Sequence, residues 1–348
     1  MKKDIYLVLF LSSISIHLMN AQETEKKFEP NGKALGNVFF NYHYDLSENE
    51  NKKSQFELLR SYLGYNYNFS EQFSTRIIFD VGYEEKVDKN GKSGTSFSTY
   101  LKNAYLEWKM NKMFTFEGGM IATHTWDVQE KIWGYRYINE NIQGIAKFYT
   151  IADLGIKTTF KPIDQLEFHA SIVNGEGYKK IQDNYGLHKL AFDVVVSPVE
   201  GFTFKSYYDI LSKKDTSNGE IVKLENQQIL NFFLGYEKKD LFRLGAEYDI
   251  QTNAGNKDNH QLNGISAYGT FIHKKYEFFI RYDHLVSNTL DNQTDPWNNS
   301  NDYSMMMGGI QYAPVKGVKI ALNYQHLTPR KSGIDSKDLI YLNFEYKF

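Results

Sequence analysis

Lys337-Asp338-Leu339-Ile340-Tyr341-Leu342-Asn343-Phe344-Glu345-Tyr346-Lys347-Phe348 is the stretch at the end of the chain that decides its fold. Apolar side chains at every second position from Ile340 alternate with Tyr341, Asn343, Glu345 and Lys347. A period of two with an apolar and a polar face predicts a β-strand that lies between two different solvents. Because chain ends usually fray, a strand that ends on an aromatic residue must be held in place. We expect lipid on one face and water on the other.

The composition supports this interpretation. The 348 residues are 16% aromatic, with 26 Tyr and 25 Phe, yet the mean hydropathy is −0.52. Such a combination is typical of a transmembrane β-barrel, in which only every second residue faces lipid. Beyond the N-terminus no apolar run approaches the about 18 residues that a spanning helix needs. The absence of cysteine agrees with an oxidising compartment, although it is weak evidence.

The N-terminus predicts export. Two lysines precede an apolar stretch over Ile5–Leu18, and Ala21 offers a small residue for cleavage. This pattern predicts a signal peptide over 1–21, followed by a short polar lead over 22–33. Cleavage would remove two positive charges and one negative charge, which changes the net charge from −2 to −3. Such a balance gives no reason to expect nucleic acid as a partner.

Residues 34–348 repeat one pattern: an alternating segment, a tight turn, a second alternating segment and a longer polar loop. Counting gives sixteen strands, seven tight turns and eight longer loops, and 14–18 strands fit within the usual boundary error. We therefore predict an all-β fold, a transmembrane antiparallel up-and-down β-barrel of about 16 strands in a single domain. The alternative, a soluble β-sandwich or solenoid, is disfavoured because a sandwich lacks the steady alternation of short and long connections.

A barrel of this size predicts a water-filled lumen. The strand faces opposite the aromatic ones carry charges of both signs in similar number. Two interpretations stay open: paired charges that hydrate the wall, or a basic wall that faces an acidic one and creates a transverse field. The candidate pore residues on strands are Arg60, Arg76, Asp80, Glu117, Arg243 and Arg281.

The third long loop, 124–149, interrupts the strand pattern and holds two of the four tryptophans. An exposed loop has little reason to carry such aromatic residues, so we expect it to pack against something. Folded inward, it would form a constriction; folded outward, it would cap the barrel or contact a neighbouring subunit. The candidate constriction residues are Trp126, Asp127, Glu130, Lys131, Trp133 and Arg136.

Four stretches, Leu101–Trp108, Glu117–Met120, Gln129–Tyr137 and Val173–Tyr178, resemble the phosphate-selective porin (O and P) family and its porin-like relatives. The resemblance implies a homotrimeric porin of sixteen strands whose third loop lines the constriction. Loop 124–149 has as many acidic as basic residues, so the sign of ion selectivity is left open, with anions as one alternative. The resemblance to outer-membrane proteins also implies a C-terminal signal for the barrel-insertion machinery, formed by Phe344, Tyr346 and Phe348.

Patterns for other chemistry are weak. No histidines show a metal-ligand spacing of the HExxH kind, and the Asp/Asn/Gly-rich loops lack a regular calcium-ligand spacing. Barrel enzymes that cut lipids or peptides place a histidine near a Ser or Asp at the membrane rim. His284 and His326 lie near the outer ends of their strands, and we interpret them as interfacial polar residues. We therefore predict no catalytic, cofactor or metal site, and no enzyme.

The sequence thus predicts a porin of the bacterial outer membrane, through which small hydrophilic solutes or ions diffuse passively. The expected partners are outer-membrane lipid, these solutes, the insertion machinery and two further copies of the chain. The alternatives are an outer-membrane β-barrel enzyme, and a surface adhesin or structural barrel that only anchors its loops.

Overall fold

The computed structural model describes residues 28–47, 54–87, 93–182, 186–217 and 220–348. The predicted signal peptide and the start of the predicted polar lead lie outside these residues. Among the described residues, no helix has both the length and the apolar character that crossing a membrane requires.

Antiparallel strands, β1–β9 and β12–β18, close into one barrel of sixteen strands. The bounds of the strands in chain order are β1 Asn31–Asp45, β2 Ser54–Asn68, β3 Phe73–Val87, β4 Ser93–Lys109, β5 Phe114–Ala122, β6 Ala152–Ile163, β7 Leu166–Val173, β8 Lys189–Val196, β9 Phe202–Leu211, β10 Lys214–Ser217, β11 Glu220–Lys223, β12 Gln227–Lys238, β13 Phe242–Thr252, β14 Leu262–His273, β15 Tyr276–Ser287, β16 Tyr303–Tyr312, β17 Val318–Pro329 and β18 Lys337–Lys347. β10 and β11 form a separate hairpin in the loop between β9 and β12.

The predicted fold class is confirmed. Seven connections at one end of the barrel are short turns, and eight at the other end are longer loops. The first strand begins at Asn31, somewhat before the predicted start of the barrel at residue 34. Two features inside the long loops were not predicted: the β10–β11 hairpin and short helices, which are α1 Asp127–Trp133, α2 Ile142–Ile145 and a 3-10 turn at Ala254–Asn256.

The last strand closes the barrel by pairing with β17 on one side and β1 on the other. On the outer face the ring of Phe344 stacks on that of Phe40, with 4.5 Å between centroids. On the inner face Asn343 is fully buried. The terminal Phe348 exchanges two backbone hydrogen bonds with Gly36, of 3.0 and 3.1 Å. A Cβ at Gly36 would collide with the Phe348 ring, so this glycine leaves room for the terminal aromatic residue.

Two β-bulges turn side chains inward that a strict alternation would place on the outer face. In β2, Leu58 pairs with Phe40 and Arg60 with Phe39, so Leu59 is an extra residue, and it packs against the buried interior cluster. In β4, Leu101 and Asn103 pair with successive residues of β3, so Lys102 is the extra residue. Bulges commonly re-aim a side chain in this way. Lys102 consequently joins Asn103 among the buried residues of the inner wall.

Candidate functional site

The long loop between β5 and β6 lies inside the barrel. Trp133, Tyr135 and Tyr137 are fully buried. The Trp133 ring packs against the rings of Tyr268 and Phe279 on the inner wall, with centroids 5.1 and 5.9 Å apart. Aromatic pairs at such distances stabilise a contact beyond the area they bury. The aromatic residues of this loop therefore pack against strands β14 and β15 rather than face solvent.

Hydrogen bonds fix the loop to the wall along its length. Near its start, the Gln129 side chain donates to Asn231 on β12 at 2.9 Å. Farther along, the hydroxyl of Tyr137 donates to Gln311 on β16 at 2.9 Å. Near its end, Gln143 donates to Asp249 on β13 at 2.7 Å. The loop is thus fixed to the inner wall at β12, β16 and β13 in turn.

Local sequence explains the course of the loop. Helix α1 ends at Gly134, which adopts a left-handed conformation with φ 75° and donates its N–H to the carbonyl of Glu130. Glycine is the residue that accepts this conformation without strain. Helix α2 begins at Asn141, whose side chain accepts the N–H of Gly144 at 2.9 Å. Asparagine is among the strongest N-cap residues.

A buried charge network holds the root of the loop. The Lys205 ammonium is fully buried and lies 2.6 Å from Asp127 and 3.5 Å from Asp193. Asp193 also accepts from His124 and His169, at 2.5 and 2.6 Å. Burial by itself would raise the pKa of Asp127, but the Lys205 charge lowers this pKa below its ordinary value.

The two histidines and Asp193 have ligand atoms within 4.8 Å of one another, as a metal site would need. The Lys205 ammonium already supplies positive charge beside Asp193. A second cation next to it would be repelled in this buried setting. The donor set therefore does not favour a metal ion, and we interpret the network as an anchor for the loop.

The opposite side of the loop faces β2 and β3 at a cluster of charges, here called the gap, which is formed by Arg60, Asp80, Glu130, Arg136 and Glu140. Arg136 forms ion pairs with Glu130 at 3.2 Å and with Glu140 at 3.0 Å, both on the loop. Arg60 on β2 lies 3.1 Å from Asp80 and 4.0 Å from Glu140. The Arg60–Glu140 contact therefore links the wall to the loop. Burial raises the pKa of Glu130, although the Arg136 charge opposes this effect.

Lys102 adds a further cation at this gap. Its ammonium lies 4.0 Å from the centroid of the Tyr62 ring, and the residue is 9% exposed. Within the described part of the chain, no carboxylate lies at ion-pair distance from it. A buried ammonium without a carboxylate is costly unless an anion or water compensates it. Lys102 is compensated by the Tyr62 side chain, which it also hydrogen-bonds, and by the more distant charge of Asp80, rather than by a paired carboxylate.

A second loop borders the gap. In the segment between β7 and β8, the Tyr178 hydroxyl donates to Asp80 at 2.5 Å. The neighbouring Lys179 lies 3.9 Å from Asp80 and 5.1 Å from the centroid of the Tyr100 ring. This segment therefore adds a cation and an aromatic ring to the wall of β3 and β4.

The loop inside the barrel separates two cavities. A cavity of 860 Å³ lies at the short-turn end, and its lining includes Asp127 and Lys131 of α1. A cavity of 700 Å³ lies at the long-loop end, where its lining includes Ile145 and Lys147. Arg60, Arg136 and Glu140 line neither cavity; they meet where the loop contacts β2.

The structure divides the predicted site residues into groups. Arg60, Asp80, Trp126, Glu130 and Arg136 lie together at the gap. Arg136 is 5.5 Å from the Trp126 ring, which stacks on Tyr149.

The others are dispersed. Arg243 and Arg281 lie beneath the loop, where they pair with Glu277 and Asp283 at 2.6 Å each. Arg281 is 1% exposed and packs on the buried Trp133, so it does not line a passage. The remaining predicted residues lie elsewhere. Glu117 forms an ion pair of 2.9 Å with Lys157, and Arg76 is exposed opposite Asn66 and Tyr105. Asp127 lies at the start of the loop, and Lys131 lines the short-turn cavity.

Sequence reasoning missed Lys102, Glu140, Tyr178 and Lys179 as members of the gap. A signal for Lys102 was present: a strict alternation places this lysine on the lipid-facing side between Tyr100 and Ala104. A lysine in the middle of a lipid-facing side is costly, and so it indicates a bulge. The other three lie in long loops, and no period reveals where a loop will fold.

Comparison with known proteins identifies the fold. An anion-selective porin from Comamonas acidovorans has a TM-score of 0.68 at 9% identity over 92% of this chain and 100% of its own. OmpF of Salmonella typhi, in a complex with daunomycin, has a TM-score of 0.65 at 10% identity over 91% and 97%. OmpT, an outer-membrane protein of Vibrio cholerae, has a TM-score of 0.63 at 13% identity over 93% and 99%. The chain thus has the barrel fold of outer-membrane porins.

No family model matches the chain, and no curated protein matches it. The predicted link to the phosphate-selective porin family is therefore not confirmed.

The prediction that the chain is not an enzyme needs correction. Four of the similar structures are forms of OmpT, described by name only as an outer-membrane protein. A shared barrel does not decide between a channel and an enzyme, because function depends on sites rather than on the fold. We therefore withdraw the exclusion of enzymatic activity.

Proposed function

We propose that the chain forms a channel in the bacterial outer membrane for passive diffusion of small hydrophilic solutes or ions. The observation that carries this proposal is the loop 124–149, which lies within the sixteen-stranded barrel and separates the two cavities. A barrel of this size encloses more space than its own side chains fill. The inward loop then serves as the constriction, and the gap at Arg60 and Glu140 serves as the passage.

Charge at the gap favours anions as the preferred ions. Four cations, Arg60, Lys102, Arg136 and Lys179, surround three carboxylates, and Lys102 has none of them as a partner. The excess is small, so we propose a modest preference rather than a site for one particular solute.

Single-channel recording tests the channel itself. The purified chain in planar bilayers should give steady conductance steps in simple salt solutions. A silent membrane with correctly folded barrel present would refute the proposal. Reversal potentials in a salt gradient then give the sign of the selectivity, and a cation preference would refute the proposed anion preference while leaving the channel intact.

We expect Arg136→Glu to shift the permeability ratio towards cations by about fivefold, which corresponds to about 1 kcal/mol of ion transfer energy. The new carboxylate would lie beside Glu130 and Glu140, both within ion-pair distance of Arg136. The measurement is the reversal potential under a salt gradient. Lys131→Glu is the matched control, because it reverses a charge on the same loop at the wider cavity. Equal shifts in both variants would contradict a constriction at Arg136.

Assembly of the channel would depend on the closing strand, for which we propose Phe344, Tyr346 and Phe348 as the insertion signal. Phe348 is 68% exposed, so its ring is available before and after the barrel closes. We also propose that the chain forms a trimer. The support is that one similar structure is OmpT in its trimer form. The predicted signal peptide over 1–21 would direct export.

Deleting Phe348 should lower the amount of folded barrel in the outer membrane more than it changes the conductance of the channels that do form. The deletion removes both the ring and the two backbone hydrogen bonds to Gly36. Phe348→Ala separates these effects, because it keeps the backbone bonds and removes only the ring. Heat-modifiable migration in gels measures the folded fraction. Wild-type amounts of both variants would refute an assembly role for the ring.

A further inference from the structure

A chain of hydrogen bonds runs across the outer surface of the barrel at the long-loop end of β17 and β18. The Thr328 hydroxyl lies 3.0 Å from Nε2 of His326. Nδ1 of the same imidazole lies 2.7 Å from Oδ1 of Asp338. The Tyr324 hydroxyl donates to that same carboxylate oxygen. With the proton on Nδ1, the imidazole donates to Asp338 and accepts the proton of Thr328.

These side chains point outward, not into the lumen. His326 and Asp338 are directly paired across the two strands, and the next pair towards the short turns is Tyr324 with Ile340. Tyr324 and Ile340 are 44% and 38% exposed, as lipid-facing residues are. Rings of tyrosine mark the level of the membrane interface in such barrels. The cluster lies one outward pair beyond Tyr324 on the long-loop side, which we assign to the level of the membrane interface.

The order of the groups is the one that nucleophilic catalysis needs. A hydroxyl is a weak nucleophile until an adjacent base takes its proton, and a third group must orient that base. Thr328 supplies the hydroxyl, His326 the base and Asp338 the orienting carboxylate. The same order recurs on unrelated folds and is recognised by geometry rather than by sequence position.

The cluster is open to a substrate. The side chains of His326 and Asp338 are 37% and 32% exposed, and Thr328 is exposed. A neighbouring pair shows how the site differs from ordinary interfacial contacts. His284 and Ser304 are bonded at 2.8 Å on the same face, but in the described part of the chain no carboxylate orients that imidazole.

We propose that Thr328, His326 and Asp338 form an acyl-ester hydrolase site on the outer wall, which takes the ester of a lipid in the surrounding membrane. The Thr328 oxygen attacks the ester carbonyl while His326 accepts its proton. The carbon–oxygen bond to the leaving alcohol breaks, and His326 returns the proton to that alcohol, which leaves an acyl ester on Thr328. Water then attacks this ester and loses a proton to His326. The bond between the acyl carbon and the Thr328 oxygen breaks, His326 returns the proton to that oxygen, and the fatty acid leaves.

This assignment is separate from the proposed channel. The site lies on the lipid-facing side of β17 and β18, whereas the gap lies in the lumen against β2 and β3. The catalytic residues are Thr328 and His326, which touch the reacting atoms, and Asp338 is a positioning residue. Substitutions at the outer cluster should therefore leave conductance unchanged, which provides an internal check that each variant is folded.

The test uses the purified full chain in mixed micelles with diacyl phosphatidylethanolamine, and with a p-nitrophenyl ester of a medium-chain fatty acid as a chromogenic probe. Release of fatty acid or p-nitrophenol is the expected result. Thr328→Ala and His326→Ala should each lower kcat/KM by about 10²-fold or more. Thr328→Ser should retain activity, because it keeps the attacking hydroxyl. Asp338→Asn should lower kcat with little change in KM, and Asp338→Glu should restore part of kcat.

His284→Ala is the matched control and should leave the rate unchanged, since its imidazole has no carboxylate partner among the described residues. A fluorophosphonate probe should label Thr328, as located by mass spectrometry. The proposal is overturned if the chain with wild-type conductance hydrolyses neither ester. It is equally overturned if Thr328→Ala is as active as the unaltered chain, or if the probe labels other residues only.

Discussion

A chain in which residues 125–149 are replaced by a short glycine–serine linker is expected to conduct about threefold more current per channel, or more, than the unaltered chain. The loop crosses the lumen between the two cavities, so its removal would join them into one wide bore. A short linker can join the two ends of the deleted segment. The backbone N–H of Thr123 already donates to the carbonyl of Ile151 at 3.1 Å, so the two ends of the loop lie side by side.

A matched control uses a loop that lies elsewhere. Replacing 214–223, which removes the β10–β11 hairpin, should leave conductance unchanged, and its ends are also adjacent because Leu224 donates to Lys213 at 2.9 Å. Both variants are checked for a folded barrel by heat-modifiable migration. A conductance that stays the same when 125–149 is removed from a folded barrel would show that the loop does not limit the flow of ions.

The second large effect is expected at Lys102. Replacing it by Gln should reduce the preference for anions, and replacing it by Glu should reverse the preference. The permeability ratio should change by about fivefold for each unit of charge. Lys102 has this influence because its ammonium is buried over Tyr62 and, among the described residues, has no carboxylate in an ion pair with it. The measurement is the reversal potential in a salt gradient.

Lys157→Gln provides the comparison for Lys102→Gln. Lys157 is a lysine on the inner wall whose ammonium pairs with Glu117 at 2.9 Å. Its removal leaves a carboxylate behind, but at a distance from the gap, so a smaller change in selectivity is expected. If the two variants shifted the reversal potential equally, the whole lumen rather than the gap would set the selectivity.

The strands could be predicted because their information is local. In β18 the polarity of each side chain predicts the face on which it lies. The structure agrees, because Asn343 is buried on the inner side and Phe344 stacks on Phe40 on the outer side. The short turns between strands follow from the same pattern, as does the even number of strands.

The sequence holds a signal for a bulge near Lys102, but the residue that is extra could not be predicted, because a bulge is a property of two strands. Only the pairing of Leu101 and Asn103 with successive residues of β3 shows that one residue of β4 is extra. For Arg281 the face of the strand could be predicted, but the burial of the side chain could not. Its position on the inner face was predicted, but its burial beneath Trp133 depends on a loop far away in sequence.

The outer cluster shows why interfacial residues are hard to interpret from sequence. His326 was interpreted as a polar residue of the membrane rim, and nothing along β17 contradicts that interpretation. Its partner Asp338 is on the next strand, across a loop. Only the register between β17 and β18 places the imidazole between a hydroxyl and a carboxylate.

The pairing of β1 with β18 also determines when the molecule can become complete during its synthesis. Asn37 lies opposite Lys347, so the final contacts join residues more than three hundred positions apart in the chain. Contacts of such sequence separation form slowly, because a long loop must close before they stabilise the structure. Until β18 pairs with β1, the incomplete barrel has two free strand edges, and exposed edges of this kind are prone to aggregation.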